Sequence, residues 1–149
     1  MKHFVLTALV FLAGPNAFAT GGFGCQYDED KVKFEINGAT SRSFGGAIVN
    51  AEGALTGEVG GQGDTDVIKI DTTFNRDDIM QYWSTGREFN LNIYKESDSE
   101  TEHAWTSVII KTKSKNDNGE LKGTISIEQG SNAGRWSMEN KKITCFVEM

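Results

Sequence analysis

Hydrophobic and polar residues alternate with a period of two along most of the chain. The clearest unit covers residues 104–127, where two alternating segments flank Asp117, Asn118 and Gly119. An Asn-Gly pair favours the positive φ angles that a tight hairpin turn requires. We therefore predict a β-hairpin with one buried face. The residues predicted to face the core are Thr106, Val108, Ile110, Thr112, Leu121, Gly123, Ile125 and Ile127.

The same alternation predicts further strands on both sides of this hairpin. They centre on residues 32–36, 44–48, 55–59, 68–70, 89–93, 136–138 and 143–147. Turns are expected where Asn or Gly interrupts the pattern, at Asn37-Gly38, at residues 50–53 and at Asn140-Lys141. Glycines inside the strands, such as Gly57, indicate strands that coil sharply.

One segment departs from this period. Asn75 can cap a helix, and two aspartates follow it in the first turn. Ile79, Tyr82 and Trp83 then share one side at helical spacing, and Gly86 follows the last turn. The segment predicts about two turns of helix that cover part of the sheet.

Eight or nine short strands and one brief helix, without strand-helix-strand repeats, predict an all-β domain. The expected architecture is an antiparallel barrel with meander topology and roughly eight strands, and a β-sandwich is the alternative.

The N-terminus carries the features of a secretory signal peptide. A short basic start precedes an apolar run, and Ala17 and Ala19 form an A-x-A cleavage site. We expect residues 1–19 to be the signal peptide and residues 20–149 to be a single domain that is secreted or periplasmic. No segment is apolar over the ~20 residues that a spanning helix needs, so we expect no membrane span.

The two cysteines, Cys25 and Cys145, lie near the two ends of the predicted domain. Export to an oxidising compartment predicts a disulfide between them, which would place the ends of the domain side by side. One histidine in the mature chain, His103, is too few to complete a zinc site with these thiols.

Charge narrows the classes of partner. The chain has 15 Lys and Arg against 21 Asp and Glu, a formal net charge of −6, which opposes binding to nucleic acid or anionic lipid. Asp64 and Asp66 are spaced like calcium ligands, but they occur once and outside an EF-hand pattern. We expect no metal site and no cofactor.

No nucleophile elbow, phosphate-binding loop or metalloprotease helix is present, so we expect no enzymatic activity. The leading hypothesis is a non-enzymatic binding or interaction module whose partner is an unknown protein or a small apolar ligand. The alternatives are a carboxylate-dependent hydrolase, whose acidic pair would form only in the fold, and a carrier of a small hydrophobic ligand. The carrier would enclose its ligand among Phe34, Phe44, Phe89 and Ile125.

A possible interaction surface lies on the mixed outer face of the hairpin, at Trp105 and Ile109, with Trp136 as a further candidate. At the level of fold, a compact disulfide-bonded barrel is similar to the small cell-envelope inhibitors of lysozyme. The recognition loops of that family, with Ser-Gly and Lys-Gly pairs near tyrosines, have no counterpart in this sequence. The resemblance therefore assigns no residue roles.

Overall fold

The computed structural model describes residues 20–41, 46–60, 67–85, 87–97, 103–114, 119–132 and 134–148. Over these ranges, nine antiparallel strands form one curled sheet with the order β4-β3-β2-β1-β9-β8-β7-β6-β5. The predicted all-β antiparallel architecture is confirmed, and the single sheet is a half-barrel rather than a sandwich. The strands are β1 (Thr20–Glu29), β2 (Val32–Ser41), β3 (Ala47–Gly60), β4 (Val67–Asn75), β5 (Ile79–Thr85), β6 (Glu88–Glu96), β7 (Trp105–Lys113), β8 (Glu120–Ser131) and β9 (Gly134–Val147).

The two ends of the domain meet in the middle of the sheet. Strands β1 and β9 pair antiparallel, and Cys25 lies directly opposite Cys145. The predicted disulfide is confirmed: it joins these residues across 120 positions of sequence, with a Cα–Cα distance of 4.1 Å. The predicted signal peptide lies outside the described residues. Among the residues described, no helix has the length and apolar character needed to cross a membrane.

Strands β4 and β5 are two halves of one bent strand. Every neighbouring pair in the sheet is antiparallel, and eight such pairings separate β4 from β5, so both run in the same direction. Only the 3₁₀ turn Arg76–Asp78 lies between them. The first half pairs with β3 and the second with β6. At this break, Lys95 Nζ donates to the Thr73 carbonyl at 2.8 Å, and Arg76 Nε donates to the Ile48 carbonyl at 3.3 Å.

The short helix predicted after Asn75 is this single 3₁₀ turn. Asn75 caps it as expected, because its side chain accepts a hydrogen bond from the Asp77 amide at 2.8 Å. The following residues, predicted to be helical, are strand β5. A bulge there makes Met80 an extra residue, so Ile79 and Tyr82 both face inward. Their spacing of three therefore imitates a helical period.

Two of the predicted turns, at Asn37-Gly38 and at residues 50–53, are wrong. Both segments lie inside strands, and they pair with each other across the β2–β3 ladder. The ladder shifts register next to Ala39, whose amide donates to the Asn50 side chain at 2.8 Å. Asn50 thus satisfies the backbone group that the bulge leaves unpaired.

The turn predicted at Asn140-Lys141 is also a bulge. Strand β9 continues through it, with Asn140 at a φ of 54°. The register shifts between Ile125 and Ile127 of β8, and the Asn140 amide donates to Ser126 Oγ at 3.1 Å. Asn tolerates positive φ better than most residues, which suits it to a bulge as well as to a turn.

Strand β1 was not predicted, although Phe23, Cys25 and Tyr27 alternate along it and are buried. It forms a hairpin with β2 through Asp30 and Lys31, which have φ angles of 55° and 65°. Positive φ at both central residues is characteristic of a type I′ turn, which matches the twist of the flanking strands. The glycines around Phe23 weaken the alternation of apolar and polar residues, which is why the sequence pattern did not predict this strand.

The inner face of the sheet is a packed core. The predicted inward residues of β7 and β8 are buried, with Gly123 half-buried. Phe23 of β1 meets Phe89 of β6 across the interior with ring centroids 5.1 Å apart, and Phe34 meets Phe74 at 6.2 Å. Side chains from opposite walls therefore fill the space between them.

Glycine permits the tight curl of the sheet at two inward positions. A Cβ added at Gly123 would collide with the Lys111 carbonyl oxygen, and one at Gly57 would collide with the Lys31 carbonyl oxygen. The neighbouring strand therefore lies where a side chain would otherwise project.

We expect the disulfide to be a large contributor to stability. In the double variant Cys25→Ala/Cys145→Ala, the free energy of unfolding should fall by about 4 kcal/mol, because an open loop of this length gives the unfolded chain more conformational freedom. Denaturant unfolding of the native and variant proteins measures the difference. A loss below about 1 kcal/mol would contradict the expectation.

Gly123→Ala should lower the free energy of unfolding by about 2 kcal/mol or more, because the added methyl group forces β7 and β8 apart. Gly60→Ala is the matched control, since among the described residues no atom lies within 4 Å of a Cβ added there. Its free energy of unfolding should stay within about 0.5 kcal/mol of that of the native protein. Equal losses in the two variants would show that close strand approach is not the reason for glycine at position 123.

Candidate binding surface

A groove of about 370 Å³ crosses the outer face of β5, β6 and β7. We call it the tryptophan groove; the outward side chains that line it are Gln81, Trp83, Asn90, Asn92, Ile109 and Lys111. Trp83 is 59% exposed and Ile109 is 40% exposed. Two exposed apolar side chains thus stand beside a row of amides on an otherwise polar sheet face.

Register brings these side chains together from three strands. Trp83 of β5 lies opposite Asn90 of β6, and Gln81 lies opposite Asn92. Asn92 in turn lies opposite Ile109 of β7. Opposite residues in antiparallel strands have Cβ atoms about 5 Å apart, so the side chains of the groove are near neighbours.

The bulge at Met80 decides that Trp83 faces solvent. Ile79 points into the core, and strict alternation from it would turn residue 83 inward as well. The extra residue reverses the faces, so that Tyr82 points inward and Trp83 outward. One inserted residue therefore places an indole on the surface.

Trp105 lies on the same outer face, beyond Ile109. Its ring is stacked with Tyr94, at 6.4 Å between centroids and 24° between planes, and the Arg135 guanidinium sits 5.4 Å from its centroid. A Cβ on Gly130 would lie 2.5 Å from the Trp105 indole nitrogen. The indole thus packs over Gly130 of the neighbouring strand, and this packing holds the indole against the sheet.

The sequence-predicted surface residues do not all meet. Trp105 and Ile109 share the outer face of β7, as the alternation indicates. Trp136 lies on the inward side of β9, where it is half-buried and packs against the core. Trp83 was missed because it was assigned to the helix; the signal that could have found it is the β-branched and aromatic composition of residues 79–85.

The tryptophan groove is nearly free of charge. Lys111 is the charged residue among its described lining side chains. Next to the groove, Tyr94 Oη donates to Glu96 Oε1 at 2.8 Å, and this hydrogen bond raises the pKa of Tyr94. The phenol therefore stays neutral over the physiological pH range, and Lys111, opposite Asn90, is the charged side chain of the described groove lining.

A second groove, of about 380 Å³, lies on the outer face of β2, β1 and β9. Phe146 stands beside it and is 59% exposed, the same fraction as Trp83. Its floor includes Gly22 and Gly24, and Glu148 lies on its wall. Because Phe23 and Phe89 meet across the interior, this groove faces away from the tryptophan groove.

Besides Tyr94, the described titratable groups with shifted pKa values are Tyr27, Asp30 and Lys141, which lie together at one end of the sheet. Asp30 accepts a hydrogen bond from Lys141 Nζ at 2.7 Å and one from Tyr27 Oη at 3.5 Å. The Lys141 ammonium lowers the pKa of Asp30, and the carboxylate raises the pKa of Lys141. Burial is the main cause that raises the pKa of Tyr27. The ion pair ties the β1–β2 turn to the bulge of β9.

The residues considered as metal ligands are not grouped into a site in the part of the chain that the structure describes. His103 is exposed just before β7. Over the described ranges, no three His, Cys, Asp or Glu side chains are grouped so that they could hold a metal ion. Asp64 and Asp66, considered as calcium ligands, lie outside the described residues.

Comparison of the chain with protein-family models, with curated proteins and with solved structures finds no match. The function is therefore inferred from the side chains of the tryptophan groove.

Proposed function

We propose that this protein is a non-enzymatic binding module that acts in the periplasm or outside the cell and holds its partner in the tryptophan groove. The observation that carries the proposal is the exposure of Trp83 and Ile109 along one groove, where they flank Asn90 and Asn92 of the strand between them. Exposed apolar side chains that are grouped and rimmed by polar residues are characteristic of interaction sites. Tryptophan is also enriched among the residues that dominate binding energy.

The packing of the interior favours an outer site over a carrier. Phe34, Phe89 and Ile125, which were expected to line a ligand cavity, are fully buried. Phe89 also contacts Phe23 from the opposite wall, which occupies space that a ligand would need. Phe44 lies outside the described residues. An apolar ligand would have to displace these contacts in order to enter.

The hydrolase alternative has less support. None of the described side chains that line the tryptophan groove is a carboxylate, so no carboxylate pair flanks this groove. Asp30, whose pKa is lowered, is engaged by Lys141 and is poorly suited to act as a general acid.

The cystine supports the proposed location. An intramolecular disulfide is characteristic of secreted and periplasmic proteins, because cytosolic reductants keep thiols reduced. The predicted signal peptide at residues 1–19 points to the same compartments.

The proposal predicts that partner binding depends on Trp83 and is insensitive to Phe146. Immobilised native protein, Trp83→Ala and Phe146→Ala would be exposed to periplasmic or culture extract, and the retained molecules compared. We expect the native protein and Phe146→Ala to retain the same partner, and Trp83→Ala to retain at most about a tenth as much, because a central aromatic anchor contributes 2 kcal/mol or more.

Phe146→Ala is the matched control because Phe146 and Trp83 are exposed to the same fraction on different faces. Retention that is equal in all three proteins would contradict a site at Trp83. The broader proposal would fail if the native protein retained no partner and no ligand raised its melting temperature in a thermal-shift panel.

A further inference from the structure

The amide side chains of the tryptophan groove have their hydrogen-bonding capacity available. Gln81, Asn90 and Asn92 make no side-chain hydrogen bond to any part of the chain that the structure describes. Each amide offers two N–H donors and a carbonyl acceptor. Two amides elsewhere, Asn50 and Asn75, accept backbone hydrogen bonds, whereas Gln129 Oε1 is buried without a partner. The three groove amides have no such role in the fold.

We propose that the tryptophan groove binds a neutral oligosaccharide, an inference that rests on the function proposed above. A sugar has an apolar face of C–H bonds and a rim of hydroxyl groups that both donate and accept hydrogen bonds. An exposed indole matches the face through dispersion and apolar burial. Neighbouring amides match the rim, because each can donate to one hydroxyl and accept from the next.

The distribution of charge argues for a neutral ligand. A carboxylate only accepts hydrogen bonds and an ammonium only donates them, and the described lining of the groove contains no carboxylate and a single ammonium, that of Lys111. A polyanion would meet one cation on a chain whose net charge is −6, so counterion release would contribute little affinity.

The register also indicates how a sugar chain would lie. Asn90, Asn92 and Tyr94 are successive outward residues of β6, and they span roughly 13 Å at the usual rise of a strand. Trp83 lies beside the first of them, and the Tyr94–Trp105 stack lies at the other end. The strip therefore fits a short oligosaccharide placed along β6 rather than a single sugar.

Affinity electrophoresis and titration calorimetry against soluble neutral polysaccharides test the inference. The probes are a β-1,3-glucan, hydroxyethylcellulose, xylan, galactomannan, dextran and chito-oligosaccharides, with alginate as the anionic comparison. We expect at least one neutral glycan to retard the native protein and the Phe146→Ala control equally. Trp83→Ala and the near-isosteric double variant Asn90→Asp/Asn92→Asp should each weaken binding about tenfold or more. Circular dichroism checks that the variants are folded.

The outcomes separate this inference from the proposed function. If no neutral glycan binds, or if Trp83→Ala binds as well as the native protein, the oligosaccharide site is overturned. If alginate alone binds, an anionic ligand held by Lys111 replaces it. Trp83-dependent capture of a protein without glycan binding would overturn the oligosaccharide and leave the binding module standing. The absence of any Trp83-dependent binding would overturn both.

Discussion

The structure depends on the pairing of β1 with β9. Strands β1 to β4 and strands β5 to β9 are two meanders, each built from neighbours in sequence. Only four residue pairs of the β1–β9 ladder join them into one sheet, and Cys25 and Cys145 are one of those pairs. A covalent bond within so short a ladder removes much of the entropy that would otherwise favour separation of the two meanders. It also holds Phe23 against Phe89, so the core depends on the same closure.

The pairing of β1 with β9 determines where the tryptophan groove lies. Because the ends of the domain meet at β1 and β9, the break in the barrel falls between β4 and β5, and the 3₁₀ turn carries the chain across it. Strand β5 is therefore free to pair with β6, which brings Trp83 beside Asn90. The bulge at Met80 then turns the indole outward. A surface suited to binding thus arises where the sheet is least regular, as is common for bulges.

The contrast between the inner and outer faces is the reason why we propose a binding module rather than a carrier. The inner face is filled by aromatic and branched side chains from opposite walls, which leaves its large residues fully buried. The outer face keeps Trp83 and Ile109 in solvent next to Asn90 and Asn92. Exposed apolar side chains that are grouped on one face are characteristic of interaction surfaces.

The sequence by itself determined the cystine and most of the strands, although β1 was not predicted and β5 was predicted to be a helix. Alternation at residues 104–127 predicts the β7–β8 hairpin because polar and apolar residues follow the two faces of a strand. The two cysteines predict one disulfide because a chain with a predicted signal peptide offers each of them a single partner. Only the tertiary structure decided whether Asn37-Gly38 and Asn140 form turns or bulges, since Asn and Gly permit both and the neighbouring strand selects one. It likewise decided the groove, because Trp83, Asn92 and Ile109 meet through the register of three strands, and no local pattern in the chain encodes that register.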